Sequence, residues 1–154
     1  PRIFDLLQPM ALGWLSVENT WDFFEYRTDL LPTAERFEPG IFNVMGVVAA
    51  NASLELFLEV GPENIEKRIL ENTAYLISQL QDGGYHLFTP IEEQYRSGIV
   101  TFNHPRAEKL FEYLKNNKIY LSLRDGMIRI SPHFYNAQGD LDYFISMLRK
   151  FDQS

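Results

Sequence analysis

Arg129 stands inside MIRIS (127–131), between two isoleucines, and a polar, aromatic run, SPHFYN (131–136), overlaps and follows it. A strand that needed only to fold would carry another Ile or Val there. A planar guanidinium held on a strand grips a carboxylate through a two-pronged fork. The competing account is a solvent-facing strand whose arginines pair with nearby acids, an arrangement worth little free energy. Other chemistry-bearing residues are scattered. His86, His104 and His133 fall on three different elements without metal-ligand spacing, so no metal site is expected. No Gly-rich phosphate loop and no G-x-S-x-G elbow occurs. Lys67, Lys109, Lys115, Lys118 and Lys150 are expected on polar helix faces or at helix ends, as solvated charge. Asp22, Glu25 and Asp29 are read as solvated too. The chain has no cysteine, and therefore no thiolate nucleophile and no Cys-based zinc site.

The elements that position Arg129 follow from a turn. Asp125-Gly126 between two apolar runs is a strong two-residue hairpin signal, because both residues accept the positive φ of a type I′ turn. That turn pairs Leu123 with Ile128, Ser122 with Arg129 and Leu121 with Ile130. Alternation then puts Ile119, Leu121, Leu123, Ile128 and Ile130 on the core face. Tyr120, Ser122, Arg124, Met127, Arg129 and Ser131 share the opposite face. Geometry of the hairpin alone does not choose between an anion site and a solvated face.

Further out, Asn43–Val60 reads as a helix with Asn43 as N-cap, Gly61 as stop and so little polar surface that it should be largely buried. Pro62 opens a second helix whose stripe is Ile65, Ile69, Leu76 and Leu80. Strands are expected over 85–88, 98–103, 119–123 and 127–131. Helices are expected from Pro105 to about Asn116 and from Gly139 or Asp140 onward. This order defines an α+β fold: a small, mostly antiparallel sheet with helices packed on one face. Residues 1–42 are irregular and rich in Pro and Gly, with Trp14, Trp21, Phe23, Phe24 and Tyr26 close together. A segment this aromatic should pack against something. Residues 1–42 are therefore read as a lead-in segment, and 43–154 as the small α+β domain.

With 154 residues, 45% hydrophobic and 23% charged, the chain has the composition of an ordinary globular domain. A net charge of −7 argues against nucleic acid as a partner. No run approaches the ~20 apolar residues of a membrane span, so no membrane partner is expected. No basic-then-apolar secretory pattern is read at the start, and the cytoplasm is the expected compartment. The sequence opens at Pro1 on an already apolar stretch, PRIFDLLQPMALGW, which suggests part of something larger.

RFEPGIFNV (36–44) and RISPHFYN (129–136), with GWLSV (13–17) upstream, resemble the C-terminal part of class V aminotransferase-like enzymes, which are fold type I pyridoxal-phosphate (PLP) proteins. In that family R-F-E-x-G-T-x-N precedes a long helix and R-x-S-x-x-x-Y-N-T precedes the last one. The resemblance covers nearly the whole chain, in order. It implies that Arg129 grips the α-carboxylate of an amino-acid substrate. It also implies that Gly40, Ile41 and Asn43 reach the PLP phosphate of the partner subunit in a homodimer. A helix N-terminus offers free N–H groups to a phosphate. Arg36 and Glu38 match the pattern and are read as shaping the turn. His133, Tyr135 and Asn136 are expected to lock the strand-to-helix corner as satisfied polar groups.

Three positions depart from the pattern. Ile41 replaces the family Thr, so phosphate contact there would rest on backbone N–H. Ala137 replaces the final Thr, a lost cap. The lysine that forms the Schiff base lies, in the family, on a large domain N-terminal to the stretch resembling 1–14, and no match to it stands here. The resemblance thus implies the small C-terminal domain of a PLP-dependent enzyme, completed by an N-terminal large domain and without catalytic residues of its own. The tight turn before Arg129 carries no cysteine, which sets the chain apart from the Cys-loop cysteine desulfurases. Transamination, epimerisation and lyase chemistry stay open. The alternative is a stand-alone, non-catalytic α+β binding or dimerisation module.

Overall fold

The computed structural model describes residues 3, 6–25 and 27–154. Residues 1–55 and 56–154 form two compact units. Helix α1 (Val44–Val60) runs from the first into the second, and α2 (Pro62–Asp82) follows directly. Then come β1 (Val100–Asn103), α3 (Ala107–Asn116), β2 (Ser122–Arg124), β3 (Met127–Ile130) and α4 (Gln138–Asp152). The strands form an antiparallel sheet in the order β1-β3-β2, so the arginine strand is central. The α+β class is as the sequence indicates.

The hairpin has the expected register. Asp125 and Gly126 take φ of 48° and 74°, both in the left-handed region a type I′ turn requires. Ser122 faces Arg129 and Leu123 faces Ile128. Val100, Phe102, Ile128 and Ile130 point to one face and are buried. That face packs on Leu76, Ile77 and Leu80 of α2, Ala107, Leu110 and Leu114 of α3, and Leu141, Phe144, Ile145 and Leu148 of α4. Burying each of these larger side chains contributes about 1.5–3 kcal/mol.

Several expected elements differ in extent. The strand expected at 85–88 is reduced to one bridge, Leu87 to Phe102. It is hemmed between Gly83-Gly84 and Pro90, and its backbone bonds to β1 are those from the Phe88 N–H to Thr101 and from the Asn103 N–H to His86. The strand expected at 119–123 is Ser122–Arg124, because Lys118 turns with φ 63° and 119–121 lie outside the ladder. Helix α4 begins at Gln138. Ala137 carries no hydroxyl, yet the Asp140 carboxylate accepts the Ala137 N–H at 3.0 Å and so closes half of a capping box.

Helix α1 is the main correction. Asn43 caps it as expected, its Oδ1 accepting the Gly46 N–H at 2.9 Å. The expected burial is absent: none of its 17 residues is buried. Its all-round apolar character reads as a core position, but among the described residues its one ring contact is that of Phe57 with His133 and Phe134.

Candidate functional site

In the second unit, Arg129 lies between Thr101 of β1 and Ser122 of β2 on the sheet face turned away from the core. It is half-buried, while Arg124 on the same face is exposed. The Arg129 Nε is buried without a hydrogen-bond partner, and the guanidinium makes no ion pair or hydrogen bond with any described residue. The account in which this arginine pairs with a local acid therefore finds no acid among the described residues. A half-buried guanidinium with an orphaned donor, fixed on the middle strand, fits an incoming carboxylate. Thr101, opposite it, escaped the sequence reading because β1–β3 register depends on strand order and not on a local turn.

The corner after β3 is tied by a polar set. Asn72, 1% exposed, donates from Nδ2 to the carbonyls of His133 (3.1 Å) and Asn136 (3.3 Å). Asn136 Oδ1 accepts the His133 N–H at 2.9 Å, and Arg68 donates to the Asn136 carbonyl at 3.4 Å. The His133 ring stacks on Phe57 (5.8 Å, 23°) and on Tyr135 (4.9 Å, 21°). The Asn72 Oδ1 and His133 Nδ1 are buried with no partner among the described residues. Asn72 was legible in principle: it is a polar residue in step with the Ile65, Ile69, Leu76 stripe of α2.

In the first unit, the two upstream motifs meet. Gly13 lies so close to Pro39 that a Cβ would sit 1.6 Å from its carbonyl oxygen, which only glycine permits. The buried Ser16 accepts the Gly13 N–H (3.2 Å) and donates to the Glu38 carbonyl (3.2 Å). Arg36 donates to the Leu7 carbonyl at 3.2 Å. This frame holds the 40–43 stretch ahead of α1. The N–H groups of Gly40, Ile41, Phe42, Asn43 and Met45 make no hydrogen bond to a described residue. Ile41 is 88% exposed and offers no hydroxyl, and the Asn43 Oδ1 is committed to its capping bond. The donors left over among the described residues are therefore the backbone N–H groups and the Asn43 Nδ2. Trp14, Trp21 and Phe23 pack ring against ring, with centroids 5.3–6.4 Å apart. Tyr26, expected in that cluster, lies outside the described residues, as does Pro1.

A second polar cluster, in the second unit, was not foreseen. His104, buried, binds Asp152 through Nε2 at 2.8 Å and accepts the Arg106 N–H on Nδ1 at 3.0 Å. Tyr85 donates its hydroxyl to the other Asp152 oxygen. Arg106 reaches the Phe151 carbonyl at 3.0 Å and lies over the Phe151 ring. Both imidazole nitrogens are occupied, so the dyad has no free base and acts as a clasp on the end of α4. All five lysines are exposed. The cleft of about 350 Å³ lined by Leu76, Lys118, Tyr120, Ser131 and Tyr143 does not include Arg129.

The second unit thus presents a three-stranded antiparallel sheet with helices on one face and, on the other, an arginine with no partner among the described residues. A model of the class V aminotransferase family matches residues 7–144, and the chain belongs to that family. It is 27% identical over 144 residues to an uncharacterized aminotransferase, YcbU, of Bacillus subtilis (strain 168), covering 94% of this chain and 37% of that protein. It is 24% identical over 149 residues to kynureninase of Bacillus thuringiensis subsp. konkukian (strain 97-27), with coverages of 92% and 35%. Among solved structures, the apo cysteine desulfurase of Thermococcus onnurineus NA1 superposes with a TM-score of 0.82 at 21% identity, covering 97% of this chain and 40% of that one. A C-DES variant with glycine covalently linked to its PLP cofactor superposes at 0.80 and 20% identity, covering 96% and 39%. These structural likenesses define the fold. The chain spans little more than a third of the curated relatives it matches.

Proposed function

We propose that this chain is the small-domain portion of a PLP-dependent enzyme acting on an amino-acid substrate, and that Arg129 is its carboxylate anchor. The observation that carries the reading is the half-buried Arg129 on the central strand, with a buried Nε and no partner among the described residues. Such a side chain supplies a fixed, charge-assisted fork whose natural complement is a carboxylate.

The cofactor fits the other stretch. PLP, when bound, supplies an electron sink for bonds at the substrate's α-carbon. The partnerless N–H groups of Gly40, Ile41, Asn43 and Met45 suit a phosphate, and they precede a helix that has no acidic residue in its first turn. In this reading residues 1–42 lead in from an N-terminal large domain, 43–154 form the small domain, and the phosphate approached belongs to the other subunit of a homodimer. The five exposed lysines support placing the cofactor-bearing lysine outside this chain. The chain then orients substrate and phosphate and does not itself move the proton. Without a cysteine it contributes no sulfur to a persulfide route.

The test uses the complete enzyme. Arg129→Ala should raise KM for the amino acid by an amount equivalent to about 2–5 kcal/mol, with cofactor content unchanged. Arg129→Lys, which keeps the charge and loses the fork, should fall between. An unchanged KM would remove the anchor role. Borohydride should fix cofactor to a lysine of the complete enzyme and not to this 154-residue chain. Trapping on this chain would overturn the small-domain reading.

A further inference from the structure

Eight arginines lie among the described residues, and six of them donate to another described group. Arg27 meets Glu25 and Arg149 meets the Gln79 amide. Arg36, Arg68, Arg96 and Arg106 meet the carbonyls of Leu7, Asn136, Ile91 and Phe151. The two that donate to no described residue are Arg124 and Arg129. The chain has 21 acidic residues against 14 basic ones, so partners are plentiful and these two arginines are the exception. Both stand on one face of one sheet.

The register makes them neighbours. Arg129 faces Ser122, and Arg124 stands two residues beyond Ser122 on the same strand, facing Met127. The two arginines therefore lie on a sheet diagonal of roughly 8 Å, across which long side chains still meet. The three strands also put Thr101, Asn103, Ser122 and Met127 on this face, and no acid. The Thr101 and Ser122 hydroxyls have no hydrogen-bond partner among the described residues. This face thus carries two positive charges and two free hydroxyls, in a chain of net charge −7. Its complement is a ligand with two negative groups.

We infer that Arg124 is a second anion contact beside Arg129, and that the substrate class is the dicarboxylic amino acids. This rests on the reading of Arg129 as the carboxylate anchor. Arg129 takes the α-carboxylate, and Arg124 takes the side-chain carboxylate one or two methylene groups away. Their settings suit these roles. Arg129 is half-buried on the central strand and fixed, whereas Arg124 is exposed on an edge strand beside the turn and has room to follow side chains of different length.

Isothermal titration calorimetry on the complete, cofactor-bearing enzyme tests this. The probes are succinate and glutarate, which carry two carboxylates and no amine to react, each against its monoamide. The diacids should bind about 10-fold more tightly than the monoamides. Arg124→Gln should abolish that preference and leave monoamide binding as it is. Arg124→Lys, which keeps the charge, should retain part of it. Arg129→Ala should weaken diacids and monoamides alike. Diacids that bind no more tightly than monoamides, or do not bind, would overturn the proposal. So would an Arg124→Gln enzyme that keeps the preference but unfolds at lower urea, which would pair Arg124 with an acid of the complete polypeptide. Loss of bound cofactor in Arg124→Gln would overturn it in favour of a phosphate contact. No selective effect at Arg124, with Arg129→Ala still weakening both kinds of ligand, would sink this inference and leave the anchor intact. Unchanged binding in Arg129→Ala would remove the anchor.

Discussion

At the scale of single residues, the second unit is organised around polar groups whose value lies in where they are buried. Arg129 is one; its orphaned Nε makes it a waiting donor. Asn72 is another. Its amide holds two carbonyls of the corner that follows the arginine strand, in a site 1% exposed. Asn72→Ala would strip the His133 carbonyl of its donor and leave the Asn136 carbonyl only the longer bond from Arg68, so stability to urea should fall by about 1–3 kcal/mol. Asn72→Asp should not rescue it, because a carboxylate cannot donate to a carbonyl. A variant as stable as wild type would show that water replaces the amide at no cost. The arginine and the corner motif were visible in the sequence as residue types out of keeping with their apolar surroundings. That Arg129 has no acidic partner among the described residues was not visible, because every acid in an acidic chain is a candidate until its position is known.

At the scale of elements, the β2–β3 hairpin shows why some geometry is legible in advance. A two-residue turn fixes register, register fixes faces, and both follow from Asp125-Gly126 without reference to the rest of the chain. Gly126 sits at φ 74° with open space around a notional Cβ, so Gly126→Ala tests conformation alone. It should destabilise the chain by about 1 kcal/mol, read by thermal or urea unfolding. Gly126→Asn, which tolerates the left-handed region better, should cost less. Equal losses would mean that the turn is not held in I′ geometry. Helix α1 shows the opposite case. Its boundaries and cap were legible because they depend on Asn43 and Gly61. Its burial was not, since hydrophobicity states a demand for cover and says nothing about whether the covering surface lies in the same 154 residues.

At the scale of the whole molecule, the Tyr85–Asp152–His104 clasp joins three distant parts of the second unit: the loop after α2, the start of the β1–α3 connection and the end of α4. Burial, then the bond to Asp152 and its charge, raise the Tyr85 hydroxyl well above its ordinary 10.0. Tyr75, bonded to Asp142 at 2.5 Å, is raised chiefly by that bond. A hydroxyl raised by folding contributes stability that is complete below about pH 10 and declines as pH climbs beyond it. For Asp152, burial pushes the carboxyl up, but bonds from Tyr85 and His104 and the His104 and Arg106 charges outweigh it, so it ends below 3.8. Asp142 is lowered by its bonds from Tyr75 and Gln138. Their contribution is present above about pH 4 and is lost as pH falls through the lowered values. Urea stability should therefore plateau across the neutral range and drop at both ends. Tyr75→Phe with Tyr85→Phe should flatten the alkaline limb; an unchanged alkaline loss would assign it to other groups. None of this was legible beforehand. His104, Tyr85 and Asp152 are separated by up to 67 positions and share no local pattern. What the sequence determined by itself was whatever depends on neighbours along the chain: the α+β class, the hairpin register, the capped and terminated helices, and Arg129 on the face away from the core. Tertiary structure alone decided what depends on neighbours in space: the lack of a partner for that arginine among the described residues, the Asn72 hold on its corner, the clasp on α4 and the absence of any buried residue in α1. A sequence states what each side chain needs, and only the packed chain shows which needs are met within it.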